Sequence, residues 1–110
     1  MTLTTSSMNC SRNDVVLLPI PFTDLTSRKV RPAIVVGRKG TDLFLVPISS
    51  VLFNTDFPLK DWQAAGLNAP SGVKAQIATV EEGLVLKIVG AVTAVDRQTL
   101  DDMLRIWLLL

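Results

Sequence analysis

Few side chains in this chain are suited to reaction chemistry, because its 110 residues include no histidine and a single cysteine. Without imidazole, the usual general base at neutral pH and the commonest metal ligand are both absent. Arg31 stands out, since its planar, permanently charged guanidinium suits phosphate and the following Pro32 favours an extended backbone. Ser49 ends a later apolar stretch and offers a hydroxyl. Held together by neighbouring strands, this arginine and serine would be able to bind and cleave a phosphodiester.

Each candidate also has a simpler interpretation, which stays open at this point. An arginine ahead of a strand is about as often an ordinary surface residue, and a serine at a strand end more often caps a turn. Lys74 and Lys87 fall on predicted strands, where most lysines are simply solvated. Glu81 and Glu82 fall in a predicted turn, and a general-base role requires them to lie near Arg31.

Short apolar strands are the elements that would position these residues. Residues 14–21 form a first predicted strand stopped by prolines, residues 31–36 a second and residues 43–48 a third, and short loops join them into an antiparallel meander. The later predicted elements are one or two helical turns at 61–65 ended by Gly66, a strand at 73–80, and a strand at 84–92 in which Gly90 marks a bulge or a close backbone approach.

The end of the chain carries the clearest helical pattern. Thr93 and Asp96 resemble a capping box, and the apolar residues that follow recur at helical spacing and should bury Trp107. The sequence therefore predicts one mainly β domain of the α+β class, with a curled antiparallel sheet and a C-terminal helix.

Composition limits the partners and the compartment. The formal net charge of +1 argues against a protein that binds nucleic acid through its overall positive charge alone. The charge is nevertheless uneven, since residues 1–39 hold six basic and two acidic residues whereas residues 40–110 hold five and eight. An apolar fraction of 48% favours a homo-oligomer interface, and no apolar run resembles a signal peptide or a membrane span. We therefore expect a cytoplasmic protein with no membrane partner.

The first twelve residues are small and polar, which is typical of a disordered tail. Residues 13–110 are then the single domain, and Cys10 in the tail is most simply an incidental free thiol. One cysteine excludes an intramolecular disulfide and a zinc site built from several thiolates. We expect no bound metal and no cofactor.

Several segments, in this order along the chain, resemble the PemK/MazF family of toxins from bacterial type II toxin-antitoxin systems. The likeness covers nearly the whole chain from Asn13 and rests on Asn13-Asp14-Val15-Val16, Arg31-Pro32-Ala33-Ile34-Val35-Val36, Pro47-Ile48-Ser49-Ser50, Asp61-Trp62 and the leucine-rich C-terminal helix. The resemblance implies a small SH3-like antiparallel barrel with a short internal helix and a C-terminal helix. It also implies a homodimer that cleaves single-stranded RNA at short sequences without metal and is neutralised by a cognate antitoxin.

The resemblance further implies that Arg31 and Ser49 are catalytic, with the RNA 2′-hydroxyl as the attacking group. Two departures from the family pattern are Ser49, where threonine is common, and Asn13, where glycine is common and where asparagine tolerates a positive φ. The remaining expected site residues are Arg28, Lys29, Ser50, Lys74 and Lys87 as RNA-binding residues and Glu81 and Glu82 as possible acid–base groups. The general base stays unassigned.

Two other functions remain open from the sequence, since a fold does not fix a function. One is a non-enzymatic relative on the same fold, either a topoisomerase-poisoning toxin or a degenerate binding protein. The other is a small SH3-like module for peptides, which the scarcity of aromatic residues disfavours.

Overall fold

Three consecutive strands form the centre of the structure, a computed structural model that describes residues 9–19 and 29–110. Each of the three is rich in apolar and β-branched residues, which favour a pleated, buried surface. The elements are β1 Asp14–Pro19, β2 Val30–Lys39, β3 Asp42–Ser49, β4 Phe57–Pro58, β5 Gly72–Val73, β6 Ala78–Glu81, β7 Lys87–Ala91 and α1 Ala94–Leu108, with short 3-10 helices at Leu52–Asn54 and Glu82–Leu84.

All strand pairs are antiparallel, and β2 lies between β1 and β3. β7 pairs with β1 at one edge. On the other side, β3 has two partners, since residues 42–45 pair with β6 whereas residues 48–49 pair with β5, which in turn pairs with β4. The sheet therefore divides beyond β3 and curls. The predicted α+β class, a mainly antiparallel sheet with one C-terminal helix, is confirmed.

The two faces of the sheet have separate cores, because successive side chains of a strand point to opposite faces. Val15, Ile34 and Val46 belong to the cluster that α1 covers with Leu100 and Leu104. The opposite cluster is Cys10, Val16, Leu18, Ala33, Val35, Leu43, Leu45 and Val85. Both faces are thus buried against other parts of the chain.

The helix α1 lies on the first of these clusters at the position that its spacing predicted. Trp107 is partly buried, with its ring centroid 6.3 Å from that of Phe57. No helix in residues 9–19 and 29–110 is long and apolar enough to cross a membrane.

One predicted strand is divided in the structure. The strand expected at 73–80 is split into β5 and β6, because β3 pairs with β5 at its end and with β6 at its beginning. The one or two helical turns expected at 61–65 are a single hydrogen-bonded turn, closed by the Ala65 amide donating to the Asp61 carbonyl. Gly66 then ends the turn with a φ of 94°, as the sequence predicted for this glycine.

The capping box predicted from Thr93 and Asp96 does not form, because neither side chain hydrogen-bonds to a backbone amide at the start of α1. Thr93 is the N-cap residue, but its hydroxyl donates to Asp61 Oδ2 at 2.7 Å. The buried Asp96 carboxylate accepts the backbone amides of Lys60 and Asp61, each at 2.8 Å. These polar groups therefore fasten the start of the helix to the turn at 61–66 instead of capping the helix alone.

Gly90 fulfils both of its predicted roles. Gly90 pairs with Val15 and Ile88 with Val16, so the intervening Val89 is the extra residue of a β-bulge. A Cβ on Gly90 would overlap the carbonyl oxygen of Ala65, so only glycine lets β7 approach the turn this closely.

Asn13 has a φ of 78°, which agrees with the expectation that asparagine replaces glycine there. Near it, Cys10 is only 2% exposed and belongs to the core beneath the sheet. The packed part of the chain therefore includes Cys10, which the sequence had assigned to the tail, because the backbone amide of Cys10 is bound by a distant carboxylate, Glu82 Oε2, at 2.8 Å.

Candidate functional site

A groove of about 360 Å³ opens where β2 begins and β3 ends. At this end, the last paired residues of β2 and β3 are Ala33 and Pro47. Arg31 lies two residues before Ala33 on β2, and Ser49 lies two residues after Pro47 on the neighbouring strand β3. The lining residues are Leu17, Val30, Arg31, Pro32, Ile48, Ser49, Ser50, Val51, Gly66, Leu67, Asn68, Ala69, Ser71 and Val89. The structure thus brings the two predicted catalytic residues into one groove, since consecutive antiparallel strands place the start of one beside the end of the other.

Ser49 is half-buried, and its Oγ accepts the backbone amide of Val51 at 3.0 Å. This is the turn cap that the simpler interpretation predicted. A hydroxyl that accepts through oxygen keeps its own hydrogen for donation. The cap therefore fixes the position of Oγ and leaves the O–H able to donate to a ligand in the groove.

Arg31 is exposed at the groove. Within the part of the chain that the structure describes, no carboxylate forms an ion pair with it. Arg31 shares the groove with the serine hydroxyls of Ser49 and Ser50, and guanidinium and hydroxyl donors together suit the non-bridging oxygens of a phosphate.

Another part of the groove lining comes from the segment 66–69 and from Val89. Its side chains are mostly apolar, with Asn68 as an exposed amide. Sequence reasoning did not single out Asn68. Gly66, two residues earlier, ends the helical turn as predicted and so indicates that Asn68 lies in a loop. No local pattern in the sequence indicates that this loop lines the groove.

The remaining predicted RNA-binding residues differ in how they lie relative to the groove. Ser50 lines the groove and is exposed. Lys87 pairs with Leu17, a lining residue, so it flanks the groove at the outer strand. Lys29 immediately precedes β2 and is exposed.

Two further predicted RNA-binding residues, Lys74 and Arg28, are not among the described residues that line the groove. Lys74 follows β5, is half-buried, and donates its backbone amide to the Pro47 carbonyl at 3.0 Å. It does not line the groove. Arg28 lies outside the described residues.

Glu81 and Glu82 lie at the opposite end of β2 and β3 from the groove. Glu81 pairs with Asp42 at the start of β3, whereas Arg31 is at the start of β2. Seven residues of strand separate Arg31 from Arg38, or about 23 Å. A general base needs to reach its proton at about 3 Å, so the structure does not bring these two glutamates into an acid–base role beside Arg31.

Glu82 has a different function in the structure, because both of its carboxylate oxygens bind Arg38. Nη2 of Arg38 lies 2.8 Å from Oε1 and Nη1 lies 2.9 Å from Oε2. The hydrogen bond from Arg38 lowers the pKa of the Glu82 carboxyl below its usual range. Over residues 9–19 and 29–110, no group of three or more cysteine, aspartate or glutamate side chains is placed to hold a metal ion.

The curled antiparallel sheet with one C-terminal helix defines a small α+β fold that recurs among solved structures. One of them is an endoribonuclease in complex with its cognate antitoxin from a mycobacterial species. It superposes with a TM-score of 0.69 at 18% identity, over 94% of this chain and 97% of that chain. No protein-family model and no curated protein matches the sequence. At this identity the likeness establishes the fold.

Proposed function

We propose that this chain is the toxin of a type II toxin-antitoxin system, an endoribonuclease of the PemK/MazF type that cleaves single-stranded RNA at short sequences. The observation that carries the proposal is the groove that joins Arg31 and Ser49. The shared fold with an endoribonuclease supports it. A cognate antitoxin that neutralises the enzyme is part of the same proposal.

In the proposed reaction, the 2′-hydroxyl of a ribose attacks the adjacent phosphorus, and the bond from phosphorus to the 5′ oxygen breaks. The products are a 2′,3′-cyclic phosphate and a 5′-hydroxyl. Arg31 stabilises the negative charge that develops on the phosphate oxygens, and the Ser49 hydroxyl donates to one of them. The leaving oxygen takes a proton, for which Arg31 is the candidate donor, and the group that accepts the 2′-hydroxyl proton is unassigned.

RNA binding in this proposal relies on local charge, because the net charge of the chain is only +1. Lys29 precedes the lining residue Val30, and Lys87 pairs with the lining residue Leu17. Both lysines would contact the phosphate backbone, with Ser50 as a further donor within the groove. Single-stranded bases are splayed and bound individually. An antitoxin with an acidic segment would compete for the same surface.

A homodimer also belongs to the proposal. Three apolar residues near the end of α1 are strongly exposed, with Ile106 at 64%, Leu109 at 91% and Leu110 at 86%. Adjacent exposed apolar side chains favour an interaction surface. Sedimentation or light scattering of the purified chain measures this state directly.

The test of the enzymatic function is incubation of the purified chain with RNA in the presence of EDTA. We expect cleavage to continue, to leave 2′,3′-cyclic phosphate ends, and to be lost in Arg31→Ala. Lys39→Ala is the matched control, since it removes an exposed cation from the other end of the same strand. Loss of cleavage in EDTA would contradict the metal-independent mechanism.

Expression of the same variants in bacteria separates the enzymatic function from the non-enzymatic alternative. We expect growth inhibition by the original chain and by Lys39→Ala, and none by Arg31→Ala. Growth inhibition that Arg31→Ala retains, without RNA cleavage, would favour a toxin that acts through a protein interface.

A further inference from the structure

We infer that Asn68 determines base specificity in this groove, by hydrogen-bonding the edge of one nucleobase next to the scissile phosphate. The inference rests on the proposed RNA-cleaving function and adds a residue that reads sequence. It follows from what the lining side chains offer, from how Asn68 is held, and from its exposure.

Among the lining residues, few side chains are able to distinguish one base from another. Arg31, Ser49 and Ser50 offer donors that suit phosphate or sugar oxygens. Ser71 is only 5% exposed, and its hydroxyl donates to the Ala69 carbonyl at 2.8 Å. Asn68 is the one carboxamide in the described lining, and a carboxamide presents a donor and an acceptor side by side in one plane. Base edges are read by this arrangement.

The backbone on both sides of Asn68 is fixed by hydrogen bonds. The amide of Leu67 donates to the Trp62 carbonyl at 3.1 Å, and the carbonyl of Ala69 accepts the Ser71 hydroxyl at 2.8 Å. The Asn68 side chain itself is exposed and makes no hydrogen bond within the described part of the chain. The backbone at Asn68 is therefore fixed, and both the donor and the acceptor of its amide are available to a ligand.

The turn that precedes Asn68 is anchored to the rest of the domain from beneath. Gly66, at a φ of 94°, packs so closely on β7 that a Cβ there would overlap the Val89 carbonyl. The buried Asp96 carboxylate accepts the amides of Lys60 and Asp61 at the start of the turn. Asp96 is therefore a positioning residue for this wall of the groove.

Within residues 9–19 and 29–110, the lining contains no aromatic side chain on which a base would stack. Leu67 and Val89 offer only aliphatic surface, which every base contacts about equally. Among the described lining residues, the amide of Asn68 is therefore the group best suited to distinguish bases. In a single strand each base exposes an edge with an adjacent donor and acceptor, so the base that Asn68 prefers is set by which of these edges approaches its amide.

The experiment is cleavage of an RNA pool of random sequence, with the bases around each cut read by sequencing. We expect the original chain to prefer one base at one position and Asn68→Ala to weaken that preference about tenfold. Asn68→Asp should shift the preference toward guanine, because a carboxylate only accepts and guanine presents two adjacent N–H donors. The control is Gln63→Ala, an exposed amide of the same turn that does not line the groove.

The outcomes separate this inference from the function on which it rests. If the original chain cleaves and Asn68→Ala and Asn68→Asp both keep its base preferences, the specificity role is wrong while the ribonuclease function stands. If the original chain cleaves no RNA, both are overturned. An equal loss of preference in Gln63→Ala would show that the turn as a whole is disturbed, which also contradicts a role for Asn68 itself.

Discussion

Two arginines on β2 differ in their surroundings, since one is bound by a carboxylate and the other lines the groove. Arg38, near the end of β2, donates to both oxygens of Glu82 and to the carbonyls of Cys10 and Gly40. Arg31, at the start of β2, lines the groove and has no carboxylate partner among the described residues. Residue type alone therefore does not decide whether an arginine is bound by a carboxylate or lies open at a groove.

The surroundings of the two strand ends explain this difference. At the hairpin end, the chain returns through Glu82, and the segment around Cys10 passes close by, so Arg38 finds acceptors from three directions. At the groove end, β2 is only beginning and β3 is ending. Arg31 therefore lies at the edge of an open surface.

The largest expected effect comes from Arg31→Ala at the groove end. Loss of a donor that stabilises transition-state charge should lower the cleavage rate by about 100-fold or more. The thermal midpoint should stay unchanged, because Arg31 is exposed and has no described ion pair. Single-turnover cleavage and thermal unfolding of the same preparation measure the two quantities. A fall in the midpoint would show that Arg31 is structural as well, and would break the contrast.

Arg38→Ala should give the reverse pattern. Removing the guanidinium leaves the Glu82 carboxylate, whose side chain is 14% exposed, without its main donor. We expect the thermal midpoint to fall by several degrees and the cleavage rate per folded molecule to stay the same. The neighbouring exposed residue supplies the control, Lys39→Ala, which should leave both quantities unchanged. A cleavage defect in Arg38→Ala well below its unfolding temperature would contradict this interpretation.

A smaller effect is expected at Ser49. Ser49→Ala removes both the cap on the Val51 amide and the hydroxyl donor, so cleavage should fall about tenfold, as for the loss of one hydrogen bond. Ser49→Thr keeps the hydroxyl and should retain most of the activity. Rates of the two variants on one RNA test this directly. Equal loss in both would indicate that the side chain acts through packing instead of its hydroxyl.

The smallest effect concerns alkaline pH and the hairpin end. Burial, and then the negative charge of Glu82, raise the pKa of the Cys10 thiol from 9.0 to about 11. The unfolded chain therefore loses this proton at lower pH than the folded chain does. Stability from this group is complete below pH 9 and decreases as the pH rises toward 11. Urea unfolding across this range should show the decrease in the original chain and a flatter profile in Cys10→Ala.

The sequence predicted the strands and the helix with good accuracy, because their signals are local. Apolar runs punctuated by prolines indicate β1, β2 and β3, and helical spacing indicates α1. The prediction was poorer at 73–80, where an alternating pattern predicted one strand and the structure has two short strands, β5 and β6. An alternating pattern indicates which side chains are buried. It does not indicate that β5 pairs with the end of β3 and β6 with its start, because that pairing depends on how the sheet curls.

The candidate site was predictable to a similar degree. Arg31 and Ser49 meet because a hairpin of known order places the start of one strand beside the end of the next. Glu82 was considered as an acid–base group, yet its partner Arg38 is 44 residues away in the sequence, and no local pattern indicates that pairing. Asn68 was overlooked for the same reason, since its place in the groove follows from the contact between Gly66 and β7.

The amino-acid sequence was enough to predict the order of the first three strands, the terminal helix, the lack of imidazole chemistry and the placing of Arg31 and Ser49 on consecutive strands. These follow from side-chain periodicity and from short connections, which act within a few residues. Only the tertiary structure decided which arginine is bound by a carboxylate and which faces the groove, and that a buried Asp96 secures the turn carrying Asn68. Those outcomes depend on packing between segments far apart in the chain, where burial makes an unpaired polar group costly and so selects its partner.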